Sequence, residues 1–267
     1  MPNEFVTREP HPAVRPYVSR YVGYRQDDVT LAVHRGLPSR HVSAAISLAD
    51  PLRFAEPNAR LQAALGGLHT SPVLIEQDRT QCGIQLEINP LGARALVGVS
   101  SAELSGVLTD MTEVGPAALT HLPERLYEAK TWSERFAVLD AALLAAVRQV
   151  SADHQVAPEI AWTWRRMATG AAVVGELAEE VGWSERHFRE RFRAQVGLSP
   201  KEAARVLRFE RAKEALLRRP TQSLAELAVA CGFYDQAHLT NEWRRLAGCT
   251  PTTWIAEETP HLRVDAA

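Results

Sequence analysis

Eleven Lys and Arg against five Asp and Glu crowd positions 184–219, a local charge of +6 in a chain whose net charge is −2. Residues 1–157 carry 14 basic and 17 acidic groups, so the cationic surface belongs to the back of the chain. Charges are screened over about 8 Å at physiological salt, so attraction to a polyanion follows local density rather than the chain average. Arg186, Arg189 and Arg193 stand three and four residues apart, on one face of a helix, and what they offer is phosphate neutralisation. Other chemistries are poorly supplied. The nine histidines include no His-x-His pair with a following Glu, and His34, His41 and His69 are isolated. There is no G-x-S-x-G, no glycine-rich phosphate loop and no H-E-x-x-H. Cys82, Cys231 and Cys249 are too few and too scattered for a disulfide framework or a zinc site. Cys82 reads as a small core residue, and Thr80-Gln-Cys-Gly83 offers too little for a DNA-repair nucleophile. No enzyme, cofactor or metal is expected.

The elements that must position the arginines come as a pair. Glu176-Leu-Ala-Glu-Glu-Val-Gly-Trp183 recurs as Glu226-Leu-Ala-Val-Ala-Cys-Gly-Phe233, shifted by 50. After one inserted residue the match resumes at a shift of 51, aligning Phe192 with Trp243, Arg193 with Arg244, Gly197 with Gly248 and Pro200 with Pro251. Each copy reads as two helices joined by a tight turn. Ala178 and Ala228 leave room for a close helix crossing, Gly182 and Gly232 tolerate positive φ, and Trp183 or Phe233 plugs the angle. Ser184 and Asp235 are N-cap residues of the second helices, whose buried stripes are Phe188 with Phe192 and Leu239 with Trp243. Ser223-Leu-Ala-Glu226 and Ser199-Pro-Lys-Glu202 read as capping boxes, and Thr250-Pro251 repeats the start of the latter. Pro200 to Arg218 predicts one long basic helix between the copies. In copy one, Val173 stands where copy two has Ser223, so that helix lacks its hydroxyl cap.

The front half has a different period. Val42–Leu48 and Ile84–Ile88 alternate in twos, Tyr17–Arg25 and Val73–Asp78 do so more weakly, and prolines and Gly66-Gly67 punctuate them. A small antiparallel barrel or sandwich is predicted to about residue 90. Leu91–Val97, Ala117–Ala129 and Ser133–Val150 are predicted helices, the last capped by Ser133 with Phe136, Leu139, Leu143, Ala146 and Val150 in one stripe. The expected fold class is α+β: an antiparallel β-barrel, cupin-like domain with flanking helices over 1–150, a linker at 151–157, an all-α domain over 158–256 and a tail at 257–267. Residues 1–10 lack a signal-peptide core and no apolar run nears about 20 residues, so a cytoplasmic, non-membrane protein is expected.

With this duplicated pattern, residues 158–256 resemble the DNA-binding domain of the AraC/XylS family of bacterial transcription regulators. The second copy, Gly232-Phe-Tyr-Asp-Gln-Ala-His-Leu239 through Trp243 to Gly248-Cys-Thr-Pro251, carries the resemblance most closely. It implies two helix-turn-helix subdomains joined by a long helix, their recognition helices entering successive major-groove segments about 34 Å apart. In copy one the outward positions are then Ser184, Arg186, Arg189, Glu190 and Arg193; in copy two they are Gln236, Ala237, His238, Thr240 and Asn241. Arg can bridge guanine bidentately, Glu can accept from cytosine, and Gln and Asn suit adenine. Arg244 and Lys201 are phosphate candidates. The family's mode further implies an activator working with RNA polymerase. The N-terminal half resembles its β-barrel sensor domains, with Asn89-Pro-Leu-Gly-Ala-Arg-Ala-Leu-Val-Gly98 and Leu122-Pro-Glu-Arg-Leu126 closing it. It implies a small-molecule effector, with Tyr17, Tyr21, Tyr24 and Phe54 lining a pocket unless they are barrel core. The alternative is a ligand-independent regulator whose front half forms a homodimer or binds a partner.

Overall fold

The computed structural model describes residues 3–149, 156–170 and 173–262. Most of the predicted linker, 151–155, lies outside them, as do Val150 and the end of the predicted tail, 263–267. The N-terminal half begins with nine strands: β1 Glu4–Arg8, β2 Val18–Gln26, β3 Val33–Gly36, β4 Val42–Ser47, β5 Leu52–Phe54, β6 Ala59–Leu61, β7 Ala63–Gly66, β8 Val73–Glu76 and β9 Gln81–Ile88. Then come α1 Ala93–Val97, α2 Ser101–Leu104, β10 Leu108–Asp110, α3 Met111–Val114, α4 Leu122–Glu128 and α5 Trp132–Gln149. The strands form two antiparallel sheets, one of six in the order β1-β2-β9-β4-β7-β10 and one of four in the order β3-β8-β5-β6.

Period-two burial explains the central pairings. Val42, Ala44 and Ile46 of β4 and Ile84, Leu86 and Ile88 of β9 are fully buried, and they meet in register as Val42–Ile88, Ala44–Leu86 and Ile46–Ile84. Phe136, Leu139, Leu143 and Ala146 of α5 are buried as their spacing requires. The cap of α5 is Thr131 rather than Ser133: the Glu134 amide donates to Thr131 Oγ1 at 3.2 Å, and the helix starts one residue earlier than predicted. The segment 117–129 divides into a 3-10 turn at Ala117–Leu119 and α4, because Pro123 must sit in a first helical turn. Of the four aromatic residues weighed as a ligand wall, Tyr21 and Phe54 are core. Tyr21 lies 6.0 Å from the Phe136 ring and donates to Asp140 at 3.0 Å. The space beside Tyr24 measures about 20 Å³, room for one water.

The C-terminal half is helical: α6 Pro158–Ala168, α7 Leu177–Glu180, α8 Glu185–Val196, α9 Pro200–Arg218, α10 Leu224–Ala230, α11 Gln236–Ala247 and α12 Pro251–Leu262. Helix α12 runs through the boundary predicted at 256, so residues 257–262 are not a tail but its last turns. The reason is their contact with the β domain. Fully buried Glu258 accepts from His34 Nδ1 at 2.7 Å and from the Arg35 amide at 3.0 Å, and Glu257 pairs with the Arg35 guanidinium. Further contacts join the halves at α8 and α9. Arg40 Nε donates to Glu210 of α9 at 2.6 Å, and Ser101 and Ser105 hydroxyls donate to the Val196 and Gly197 carbonyls at the end of α8, at 2.8 and 2.9 Å.

Burial alone would raise the Glu258 pKa. The hydrogen bond and charge of His34, with the Arg35 amide and guanidinium, outweigh it and hold the carboxyl below the usual glutamate range. A carboxyl depressed in the folded state stabilises above its unfolded pKa and loses that contribution as pH falls through the folded value. Acidification below about pH 4.3 is therefore expected to weaken the docking of α12 on β3. Thermal unfolding between pH 3 and 7 should show a shallower acid loss in Glu258→Gln than in the parent; parallel profiles would refute the assignment.

Candidate nucleic-acid interface

The two repeats fold into matching turns. Gly182 and Gly232 take φ of 70° and 78°, a left-handed conformation in which a Cβ would be strained. The next residue's amide then reaches back across the turn, Trp183 to the Ala178 carbonyl and Phe233 to the Ala228 carbonyl, both at 2.9 Å. Ala178 and Ala228 are buried at the crossing, as their size demands. Ser184 accepts from the His187 amide at 3.3 Å and Asp235 from the His238 amide at 2.7 Å, so each second helix opens on a side-chain cap. The first helices differ. In copy two Ser223 accepts from the Ala225 amide and α10 runs seven residues; in copy one, with Val173 in that place, α7 has only four. The expected reciprocal box at Ser223 is absent, because its hydroxyl turns to the second helical amide rather than the third. The box at Ser199 and Glu202 is complete, and its Ser199 hydrogen bonds hold the Glu202 carboxyl below its usual pKa.

Burial of Phe188, Phe192 and Val196 turns the opposite face of α8 to solvent, where Arg186, Arg189, Glu190 and Arg193 stand exposed. Arg186 pairs with Glu190 at 3.0 Å, but the two side chains remain 86% and 62% exposed, so the pair is easily exchanged for a ligand. Arg189 Nε donates to the Glu185 carbonyl at 3.3 Å. In α11, Leu239, Trp243, Leu246 and Ala247 are buried, while Gln236, Ala237, Asn241 and Arg244 are exposed and His238 and Thr240 half-buried. His238 serves its own turn: its ring lies edge-on to Phe233 at 5.4 Å and its Nδ1 accepts from the Tyr234 amide at 3.2 Å. Ser184 is likewise engaged as a cap. Lys201 is exposed at the first turn of α9.

Helix α9 fixes how the two units sit. Arg205 forms a forked contact with Glu242 of α11, at 2.7 and 3.3 Å, and Arg245 adds a third bond at 3.3 Å. Burial pushes the Glu242 carboxyl up, but Arg205 overrides this and keeps it below its usual pKa. Sequence reading singled out Lys201 on this helix and missed Arg205, Arg208 and Arg211. Their spacing of three residues, four on from Lys201, was the available signal. Among the described residues no group of His, Cys, Asp and Glu could hold a metal ion, and no helix is long and apolar enough to cross a membrane.

Residues 177–257 match the family model described as a helix-turn-helix domain. Over 82 residues the chain is 33% identical to the HTH-type transcriptional activator RhaR of Enterobacter sp. (strain 638), a match covering 31% of this chain and 29% of that protein. A second RhaR, from Salmonella arizonae, is 34% identical over 71 residues, 27% of this chain and 25% of that one. The chain thus matches less than a third of the length of these curated relatives. Among solved structures, ToxT from Vibrio cholerae shares the two-domain fold, with a TM-score of 0.51 and 10% identity over 95% of this chain and 98% of that one.

Proposed function

We propose that this chain, whose C-terminal region is an AraC-type helix-turn-helix domain, is a transcription regulator that sets α8 and α11 into successive major-groove segments of duplex DNA. The observation that carries this reading is the pair of matching turns, each presenting a capped helix with its apolar face buried and a polar face open. Arg186, Arg189 and Gln236 are assigned to base edges, with Glu190 and Asn241 beside them. Arg193, Lys201 and Arg244 are assigned to phosphates. The relatives matched over this segment are named activators, which favours activation; RNA polymerase as the partner and the cytoplasm as the compartment belong to the same reading.

For the N-terminal half, its contacts with α8, α9 and α12 favour a brace that sets the placement of both readers. The fill of Tyr21 and Phe54 into the core gives a small-molecule effector no wall at those residues.

Selection of bound fragments from a random duplex library tests the reading. A selected site should span two half-sites about one helical turn apart, with affinity falling steeply as salt rises. Arg189→Ala should cost about 1–3 kcal/mol and relax preference at one base pair. Equal loss on every sequence would move Arg189 to the phosphates, and salt-insensitive binding would overturn the proposal.

A further inference from the structure

The connecting helix has two unlike sides. Glu210 and Glu214 face the β domain, where Arg40 holds both. Lys201, Arg205, Arg208 and Arg211 follow at spacings of four, three and three, which places them along one face of the helix, with Arg211 at its edge and within reach of the charges of Glu210 and Arg40. They line a pocket of about 560 Å³ between α9, the end of α6 and the 173–175 segment. Small-molecule sites run from about 300 to 1,000 Å³, so this open cleft is wide enough to admit a ligand.

Of the four cations, Arg205 is neutralised by Glu242. Lys201, Arg208 and Arg211 form no ion pair among the described residues. Arg208 lies over the Phe233 ring at 5.5 Å, and Arg211 is half-buried, its desolvation lowering the guanidinium pKa from its usual value. Three like charges on one helix face repel, and the repulsion grows where the pocket walls thin the solvent. An anion with several oxygens would relieve it, and two guanidinium forks with one ammonium match the oxygens of a phosphate group.

We propose that this side of α9 binds a phosphate-type anion, supplied either by the DNA backbone between the two recognition helices or by a free organophosphate. The site lies off the exposed faces of α8 and α11 and does not depend on their reading of bases.

The test uses the full chain, with inorganic tripolyphosphate and a generic 40-base-pair duplex as separate probes at about 0.15 M salt. Saturable tripolyphosphate binding is expected, weakened at least tenfold by Arg208→Gln with Arg211→Gln and untouched by Lys213→Gln, which lies on the same helix outside the pocket. Arg208→Lys with Arg211→Lys keeps charge and helix propensity, so its loss of several-fold would report the lost forks even if the glutamine pair folded poorly. If the backbone is the source, the glutamine pair should also lower the salt slope of duplex binding by about two, and tripolyphosphate should compete with duplex. If a free ligand is the source, the slope stays and only tripolyphosphate binding is lost. Tripolyphosphate affinity and salt slope both unchanged in the glutamine pair would overturn the site. Failure of the α8 and α11 assignment would instead show as absent sequence preference, with this titration intact.

Discussion

Trp243→Ala is expected to destabilise the helical half by about 3–5 kcal/mol and to release the second recognition helix from its support. Trp243 is fully buried, with its ring edge-on to Phe209 of α9 at 4.9 Å and tilted against Trp254 of α12 at 5.6 Å. Each such aromatic pair is worth about 0.5–1.5 kcal/mol beyond its buried area. Removing the indole therefore loosens three helices at once and leaves a cavity that rigid neighbours cannot close. A domain's whole stability is about 5–15 kcal/mol, so the loss should appear as a large drop in the urea midpoint and as failure of duplex binding. Trp243→Phe separates size from polarity. The Trp243 indole Nε1 is buried with no hydrogen-bond partner among the described residues, a cost that phenylalanine removes. The matching place in copy one already holds Phe192. The phenylalanine variant should lose less than about 1.5 kcal/mol. An alanine variant as stable as that one would show that the three helices do not meet through this ring.

What was legible in the sequence was local. The turn glycines, the crossing alanines, the caps at Ser184, Ser199 and Asp235, and the span of α9 all follow from interactions within a few residues. The missing hydroxyl at Val173 was legible too, and it surfaces as the shortened α7. What composition and period could not show were contacts between residues far apart in the chain. Nothing near Glu258 announces that His34 and Arg35 will bury it, which is why the end of the domain was set six residues before the end of α12. The cap of α5 slipped for a subtler reason: Thr131 and Ser133 both carry hydroxyls, and only the amide geometry at Glu134 selects between them. The candidate DNA-facing side of α8 was legible because its apolar stripe is. The second engagement of His238, within its own turn, was not, because it depends on where Phe233 and the Tyr234 amide come to rest.

Arg40→Ala is expected to cost about 3 kcal/mol, a large effect for one partly exposed residue. Its Nε contact with Glu210 is 2.6 Å, and the Glu210 side chain is only 6% exposed, so alanine strands a carboxylate that water barely reaches. The loss also leaves Glu210 and Glu214, one helical turn apart on α9, without the cation that separates them. Some of the cost is recovered by water entering the vacated space, because Arg40 itself is 27% exposed. Arg40→Ala with Glu210→Ala should therefore regain more than half of the loss, since no charge is then stranded. Thermal unfolding of the two single variants and the double variant gives the coupling directly, and a coupling below about 0.5 kcal/mol would show that the pair does not hold the halves together. The brace reading adds a second outcome. Freed from Arg40, α9 should let the two units shift, weakening binding to a duplex with both half-sites while leaving a single half-site unchanged. If both duplexes weaken equally, the β domain stabilises the reader but does not set its spacing.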